Sequence, residues 1–277
     1  MPARDERTPL LGETLPPGTS SKPVQIWREV CDLTRSMAPI SLSFALQNAV
    51  QAWNILLAGT LGSSELEVAS YGFMFASCTG AMVAFGGATA LDTLCGQAMT
   101  SVTNRDADRK KLGLYLQQTL LVLLGLFFIF IAPLWVFSGQ LFQALGLQKE
   151  LSMTTGTFLR SLLASGLLQV VSECSKKFLQ VQGESDAVGW VTVVAACVGA
   201  LVSYVTVNFS NLGLWGCSVA FTIYQFLNVV GFVSLMIREP SVRESMRFSA
   251  FGLGKGLFAV MAYAVTGTLT VATEWWR

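Results

Sequence analysis

Long apolar runs separated by short loops of alternating charge constrain this chain more than any motif it contains. About seven stretches, near residues 36–58, 69–99, 112–137, 153–180, 187–207, 213–237 and 257 to the end, are each long enough to cross roughly 30 Å of hydrocarbon at 1.5 Å per residue. Only 13% of the 277 residues are charged, against about 25% in an average soluble domain. Backbone inside a bilayer must satisfy its own hydrogen bonds, so runs of this length fold as helices. The chain is expected to be an all-α, polytopic membrane protein.

The loops set the expected orientation, because Lys and Arg accumulate on the cytoplasmic side. Arg28 and Arg35 precede the first span, and Arg105, Arg109, Lys110 and Lys111 separate the second from the third. Lys176 and Lys177 close the fourth, and Arg238, Arg243, Arg247 and Lys255 lie between the sixth and seventh. In the alternate loops Lys149 is the single basic residue. This pattern places the amino terminus in the cytosol. Residues 1–27 are polar, rich in Pro, Thr, Ser and Gly, and lack the apolar core of a signal peptide, so they are expected to form a disordered cytosolic tail. A helical body at 28–237, a cytosolic linker at 238–254 and a last helix at 255–277 follow. Within the tail, ERTPLL (Glu6 to Leu11) has the spacing of an acidic dileucine sorting signal for vacuolar or lysosomal membranes. The competing reading is a chance match, with the plasma membrane as the destination.

Several chemistries are excluded. The chain has no histidine, which removes the commonest metal ligand and proton shuttle. Its six cysteines, at 31, 78, 95, 174, 197 and 217, form no CxxC pair, and all but Cys31 lie in apolar runs. GxSxG, HExxH and paired intramembrane aspartates are all missing, so no enzyme activity, metal site or cofactor is expected. A net charge of +1 carries no signature of a nucleic-acid partner. The expected partners are the lipid bilayer and small molecules.

Polar side chains inside apolar spans are costly and mark where function should be sought. Ser43, Gln47, Gln51 and Asn54 follow one another at spacings of four, four and three, on one helical face, with Asn48 beside Gln51. Such an amide stripe suits a hydrated cavity for varied organic molecules; its other reading is interhelical hydrogen bonding. Tyr224, Gln225 and Asn228 add polar groups from the sixth span. Asp92 reads either as an ion site or as a helix-end carboxylate tied to Arg105 or Arg109. Glu173 precedes Lys176 and Lys177 by three and four residues, which suits a structural helical ion pair. Gly80, Gly86 and Gly87 with Ala81, Ala84 and Ala88 form a small-residue surface for close helix packing.

Three stretches carry a family resemblance. ALDTLCGQA (90–98), LGLYLQQTLLVLL (112–124) and KKFLQVQG (176–183), in this order and spacing, resemble segments of the eukaryotic branch of the multidrug and toxic compound extrusion (MATE) family of cation-coupled antiporters. The resemblance runs from about Trp27 to the end. It implies a six-helix amino-terminal lobe plus most of a seventh transmembrane helix, out of twelve spans in two lobes with a substrate cavity between them. It also implies a secondary active transporter that exports organic cations or other xenobiotics by alternating access, with protons or sodium as the coupling ion. Gln47, Asn48, Gln51, Asn54, Tyr224 and Asn228 are then the expected substrate-binding residues. EWW at 274–276 resembles the family's EWWxxE, whose first Glu takes part in cation and proton recognition, which assigns coupling to Glu274. The chain stops before the second Glu of that motif, so a truncated form of a longer protein is expected. Aligned on the first span of each lobe, Glu274 falls where Gln47 stands, eight residues after Thr266 and Pro39 respectively. The alternative is a non-transporting membrane fragment that binds or regulates full-length relatives.

Overall fold

The computed structural model describes residues 23–100, 105–210, 212–245 and 256–275, and all regular structure among them is helical. ERTPLL lies outside the described residues. The chain divides into two units, Met1–Ala38 and Pro39–Arg277. The described part of the first is helical from Pro23; the second contains the remaining elements.

Helix α1 runs from Pro23 to Leu61 and carries Pro39 within it, where the missing N–H leaves one carbonyl without its helical partner. A second path comprises α2 (Ser63–Ala76), a π-helical turn (Ser77–Ala81) and α3 (Met82–Thr100). A third comprises α4 (Arg105–Leu126), another π turn (Phe127–Ile131) and α5 (Ala132–Val136). Then come α6 (Ser138–Ala144), α7 (Lys149–Ser161), α8 (Leu163–Val181), α9 (Ser185–Asn208), α10 (Leu214–Arg238), α11 (Pro240–Ser245) and α12 (Leu257–Trp275).

Among the described residues, five helical paths are long and apolar enough to cross a membrane: Ser63–Met99, Leu112–Val136, Ser185–Asn208, Leu214–Arg238 and Leu257–Glu274. The other two expected spans are helical but more polar. Two glutamines and two asparagines dilute the span expected at 36–58, and the stretch expected as one span at 153–180 carries four charges and is interrupted at Leu162, between α7 and α8.

The two π turns meet around Trp135, the largest fully buried side chain among the described residues. A π turn inserts one residue into a helix and re-aims the side chains around it. Here the indole Nε1–H donates to Thr79 Oγ1 at 2.9 Å, and the ring lies edge-on to Phe127 with centroids 5.8 Å apart. A methyl group at Gly80 would land 2.6 Å from the indole, so only glycine fits there. Phe73 packs edge-on against both Phe158 and Phe221, joining α2 to α7 and α10.

Helix α12 packs most extensively on α3. Gly86 and Gly267 face one another across this contact, and a Cβ on Gly86 would sit 2.8 Å from the Gly267 carbonyl oxygen. The small-residue surface expected from Gly80, Gly86 and Gly87 therefore does pack closely, with Gly87 against Leu123. Outward-facing positions are apolar instead: Phe128, Ile129, Phe130, Trp190 and Phe258 are all exposed. In water such a belt would be costly; against lipid tails it is the expected outer surface.

Candidate functional site

Helix α8 reverses the usual pattern, burying Ser165, Gln169, Ser172, Glu173, Ser175 and Lys176. Its carboxyl end is set by the last residues of KKFLQVQG. Gly183 has φ of 90°, a left-handed conformation that glycine adopts without penalty, and it lets the Glu184 N–H reach back to the Leu179 carbonyl at 3.1 Å. The motif glycine thus stops the helix one turn beyond the two lysines.

The buried face of α8 holds a carboxylate–ammonium pair. Lys176 Nζ lies 2.9 Å from Glu173 Oε1 and 2.7 Å from Oε2, with both side chains almost wholly buried. The same ammonium donates to Gln47 Oε1 at 3.4 Å and stands 4.4 Å from the centroid of the Phe44 ring, joining α8 to α1. Burying two charges is repaid only when each is well partnered. Removing one alone typically costs about 3–5 kcal/mol, because the other charge is left uncompensated.

Around this pair α1, α8, α9 and α10 leave a small cleft, with room for about one water molecule, lined by Gln47, Ser172, Glu173, Lys176, Thr192, Tyr224, Gln225, Asn228 and Phe232. Asn228 is oriented by the bond from its Nδ2–H to the Tyr224 carbonyl at 3.1 Å. Its Oδ1, and Nε2 of Gln225, are buried without a hydrogen-bond partner among the described residues. Nearly all buried polar atoms in proteins are paired, so two orphans on one cleft wall are unusual. Both lie on the same face of α10, three residues apart.

The structure brings Gln47, Tyr224 and Asn228 of the expected set together in the cleft. The other amides of the stripe lie elsewhere. Asn48 is exposed and donates to its own helix at the Phe44 carbonyl. Gln51 pairs with Ser77 of the first π turn, its Nε2 2.9 Å from Ser77 Oγ. Asn54 is fully buried; its Nδ2–H donates to the Val50 carbonyl at 2.8 Å and its Oδ1 accepts from Ser203 Oγ of α9 at 2.9 Å. Glu274 is exposed near the end of α12 and is not among the cleft-lining residues.

The expected helical ion pair forms between Glu173 and Lys176. Asp92 accepts from Lys177 Nζ of α8 at 2.8 Å, eighty-five residues away; the side chains of Arg105 and Arg109 lie outside the described residues. Lys176 pairs with Glu173 and Lys177 with Asp92, and both ammonium groups lie near the Phe44 ring, at 4.4 and 6.0 Å from its centroid. What sequence reasoning missed was the position of the Glu173–Lys176 pair, on the cleft wall. The available signal was the three- and four-residue steps that put Gln169, Ser172, Glu173 and Lys176 on one face of an amphipathic helix. Cys78, Cys95, Cys174, Cys197 and Cys217 are free thiols.

The fold resembles that of a eukaryotic MATE transporter, AtDTX14, with a TM-score of 0.82 at 24% identity, over 90% of this chain and 55% of that one. The chain is 31% identical to Protein DETOXIFICATION 16 of Arabidopsis thaliana over 97% of its own length and 52% of the relative's. It is 26% identical to Multidrug and toxin extrusion protein 1 of Xenopus tropicalis, over 92% of its own length and 43% of the relative's. The chain thus spans about half the length of the curated relatives it matches. The MatE family model covers residues 39–205, well over half of the chain, and the chain belongs to that family.

Proposed function

We propose that the chain forms the amino-terminal wall of a secondary active transporter that exports organic cations and other xenobiotics by alternating access, with protons or sodium as the coupling ion. One observation carries this reading: a cleft lined by Gln47, Tyr224 and Asn228 around a buried ion pair, inside a helical bundle with an apolar outer belt. A drug-sized pocket encloses roughly 300–1,000 Å³. This cleft has room for little more than one water molecule, so in this reading it meets a substrate at its rim only, and the molecule needs a facing wall. That wall is assigned to a second lobe, which would also carry the coupling site; the resemblance assigns coupling to Glu274, outside the cleft. Asn48, Gln51 and Asn54 support the wall in this reading, Gln51 and Asn54 through bonds to neighbouring helices. The amino terminus is placed in the cytosol on the distribution of Lys and Arg.

The test is uptake of ethidium by proteoliposomes with an imposed pH or sodium gradient, using the chain alone and the chain reconstituted with the carboxy-terminal half of DETOXIFICATION 16. Gradient-driven, saturable uptake with the second half, reduced severalfold by Gln47→Ala or Asn228→Ala, is expected. Absence of uptake from the correctly inserted pair would sink the exporter reading and leave a non-transporting membrane protein. Uptake by the chain alone would show that one lobe suffices.

A further inference from the structure

Three buried polar atoms around the cleft have no hydrogen-bond partner among the described residues, and together they define what the cleft can hold. Glu173 Oε2 lies 2.7 Å from the Lys176 ammonium as an ion-pair contact, but the hydrogen bond of that ammonium goes to Oε1, at 2.9 Å. Gln225 Nε2 and Asn228 Oδ1 on α10 are the other two. All three residues line the cleft, and none is more than 3% exposed. Two of the atoms are acceptors and one is a donor. The bond from Asn228 Nδ2–H to the Tyr224 carbonyl fixes the orientation of that amide and leaves Oδ1 as an acceptor. The space these residues line fits about one water molecule.

We propose that the cleft is a binding site for a single water, which donates one hydrogen to Glu173 Oε2, donates the other to Asn228 Oδ1 and accepts from the Gln225 Nε2–H. Buried waters typically make about three hydrogen bonds to groups that would otherwise be unpaired, and this site offers two acceptors and a donor, the proportion a water can use. Ions of similar size fit the chemistry poorly. A sodium ion needs oxygen ligands, but the site includes the N–H of Gln225, and the Glu173 carboxylate is already paired with the Lys176 ammonium. A chloride ion meets that carboxylate and the Asn228 amide oxygen, both of which repel it. The bound water links α8 to α10 and extends the chain that runs from Gln47 on α1 through Lys176 to Glu173. It also supplies the additional hydrogen bond that a buried, paired carboxylate needs. The water site stands without the exporter reading; on that reading, it places the coupling ion outside this cleft and gives a substrate at the rim a wall-held water to meet.

The test is radiolytic hydroxyl labelling of the full chain in lipid nanodiscs, in which short X-ray pulses turn a bound water into a radical that marks the side chains beside it. Phe232 lines the cleft and is 1% exposed; Phe127, 0% exposed, packs on Trp135 and is not among the cleft-lining residues. Phe232 should label severalfold faster than Phe127, although bulk solvent reaches neither ring. Thr192→Ile enlarges a cleft-lining side chain without changing any of the three ligands. It should expel the water, bring the Phe232 rate down to that of Phe127 and lower the melting temperature by several degrees, because three buried groups lose their partner. The wild-type comparison needs no variant, so it decides the matter even if Thr192→Ile does not fold. Equal rates for Phe232 and Phe127 in the folded wild-type chain overturn the proposal, as does an unchanged Phe232 rate in folded Thr192→Ile protein. So does a Phe232 rate that falls when sodium chloride replaces choline chloride at equal concentration, which would make the occupant a cation. Ethidium uptake is scored separately. Uptake alongside equal labelling refutes the water site and leaves the exporter reading intact, whereas fast Phe232 labelling without uptake keeps the site and removes the exporter.

Discussion

Replacing Asn54 by alanine should destabilise the bundle by more than an ordinary intramembrane hydrogen bond is worth. Asn54 is completely buried and ties three helices together: its Oδ1 accepts from Ser203 Oγ in α9 at 2.9 Å, and its backbone carbonyl receives Cys217 Sγ of α10 at 3.5 Å. An interhelical bond of this kind contributes about 0.6 kcal/mol on average and up to about 1.7. The alanine variant also leaves Ser203 Oγ, itself fully buried, without its acceptor, a further cost of about 1–3 kcal/mol. The expected total is about 2–4 kcal/mol. Ser203→Ala removes the donor instead, and the Asn54 side chain keeps its 2.8 Å bond to the Val50 carbonyl, so its cost should be nearer 1 kcal/mol. The double variant should be little worse than Asn54→Ala alone. A thermodynamic cycle read by reversible unfolding in detergent should give a coupling of about 1 kcal/mol. Additive effects, or an Asn54→Ala loss below about 0.5 kcal/mol, would refute the structural role of this residue and return it to the substrate face.

Other consequences follow from close packing and from charge. Gly267→Leu pushes a side chain into the backbone of α3 at Gly86, where no rotamer change gives relief; an overpacking cost of about 1–3 kcal/mol should detach α12, seen as lost cross-linking between cysteines placed on α3 and α12. Gly183→Val forces a β-branched residue to φ of 90° and should lower the melting temperature by a few degrees without altering ligand selectivity. Trp135→Phe gives up the bond to Thr79, but Thr79 keeps its 2.6 Å bond to the Phe75 carbonyl, so the loss by thermal unfolding should be about 1 kcal/mol, against about 3–5 for Trp135→Ala. Cysteines at Arg105 and Arg243 should react with an impermeant reagent only after cells are permeabilised; labelling from outside would reverse the assigned topology.

The class of fold was legible because hydrocarbon thickness and backbone pairing leave a long apolar run few options. The amide stripe shows where legibility stops. Spacings of four, four and three identify a shared face, but each residue meets a different neighbour as α1 crosses the bundle. Ser43 bonds its own helix, Gln47 meets α8, Gln51 meets the first π turn and Asn54 meets α9. Periodicity gives the side of a helix and says nothing of which helix lies opposite. Asp92 illustrates the same limit: nothing in the local sequence pointed to Lys177, which the fold brings to it from α8. The π turns at 77–81 and 127–131 were invisible because a single inserted residue leaves the apolar pattern almost unchanged. The cleft itself depends on four helices converging, which no local signal encodes.

The claim that this cleft is a substrate wall is tested most directly by protection of a single cysteine. Thr192 lines the cleft, and its hydroxyl bonds only its own helix, at the Val188 carbonyl, so Thr192→Cys in a Cys-less background should preserve the fold. Phe258→Cys, on the exposed face of α12, serves as the control. The reagent is a small membrane-permeant maleimide, and the protectant is ethidium. Labelling at position 192 should slow severalfold in a saturable way, with no change at position 258. Equal rates with and without the compound at position 192, in protein that remains folded, would contradict the account.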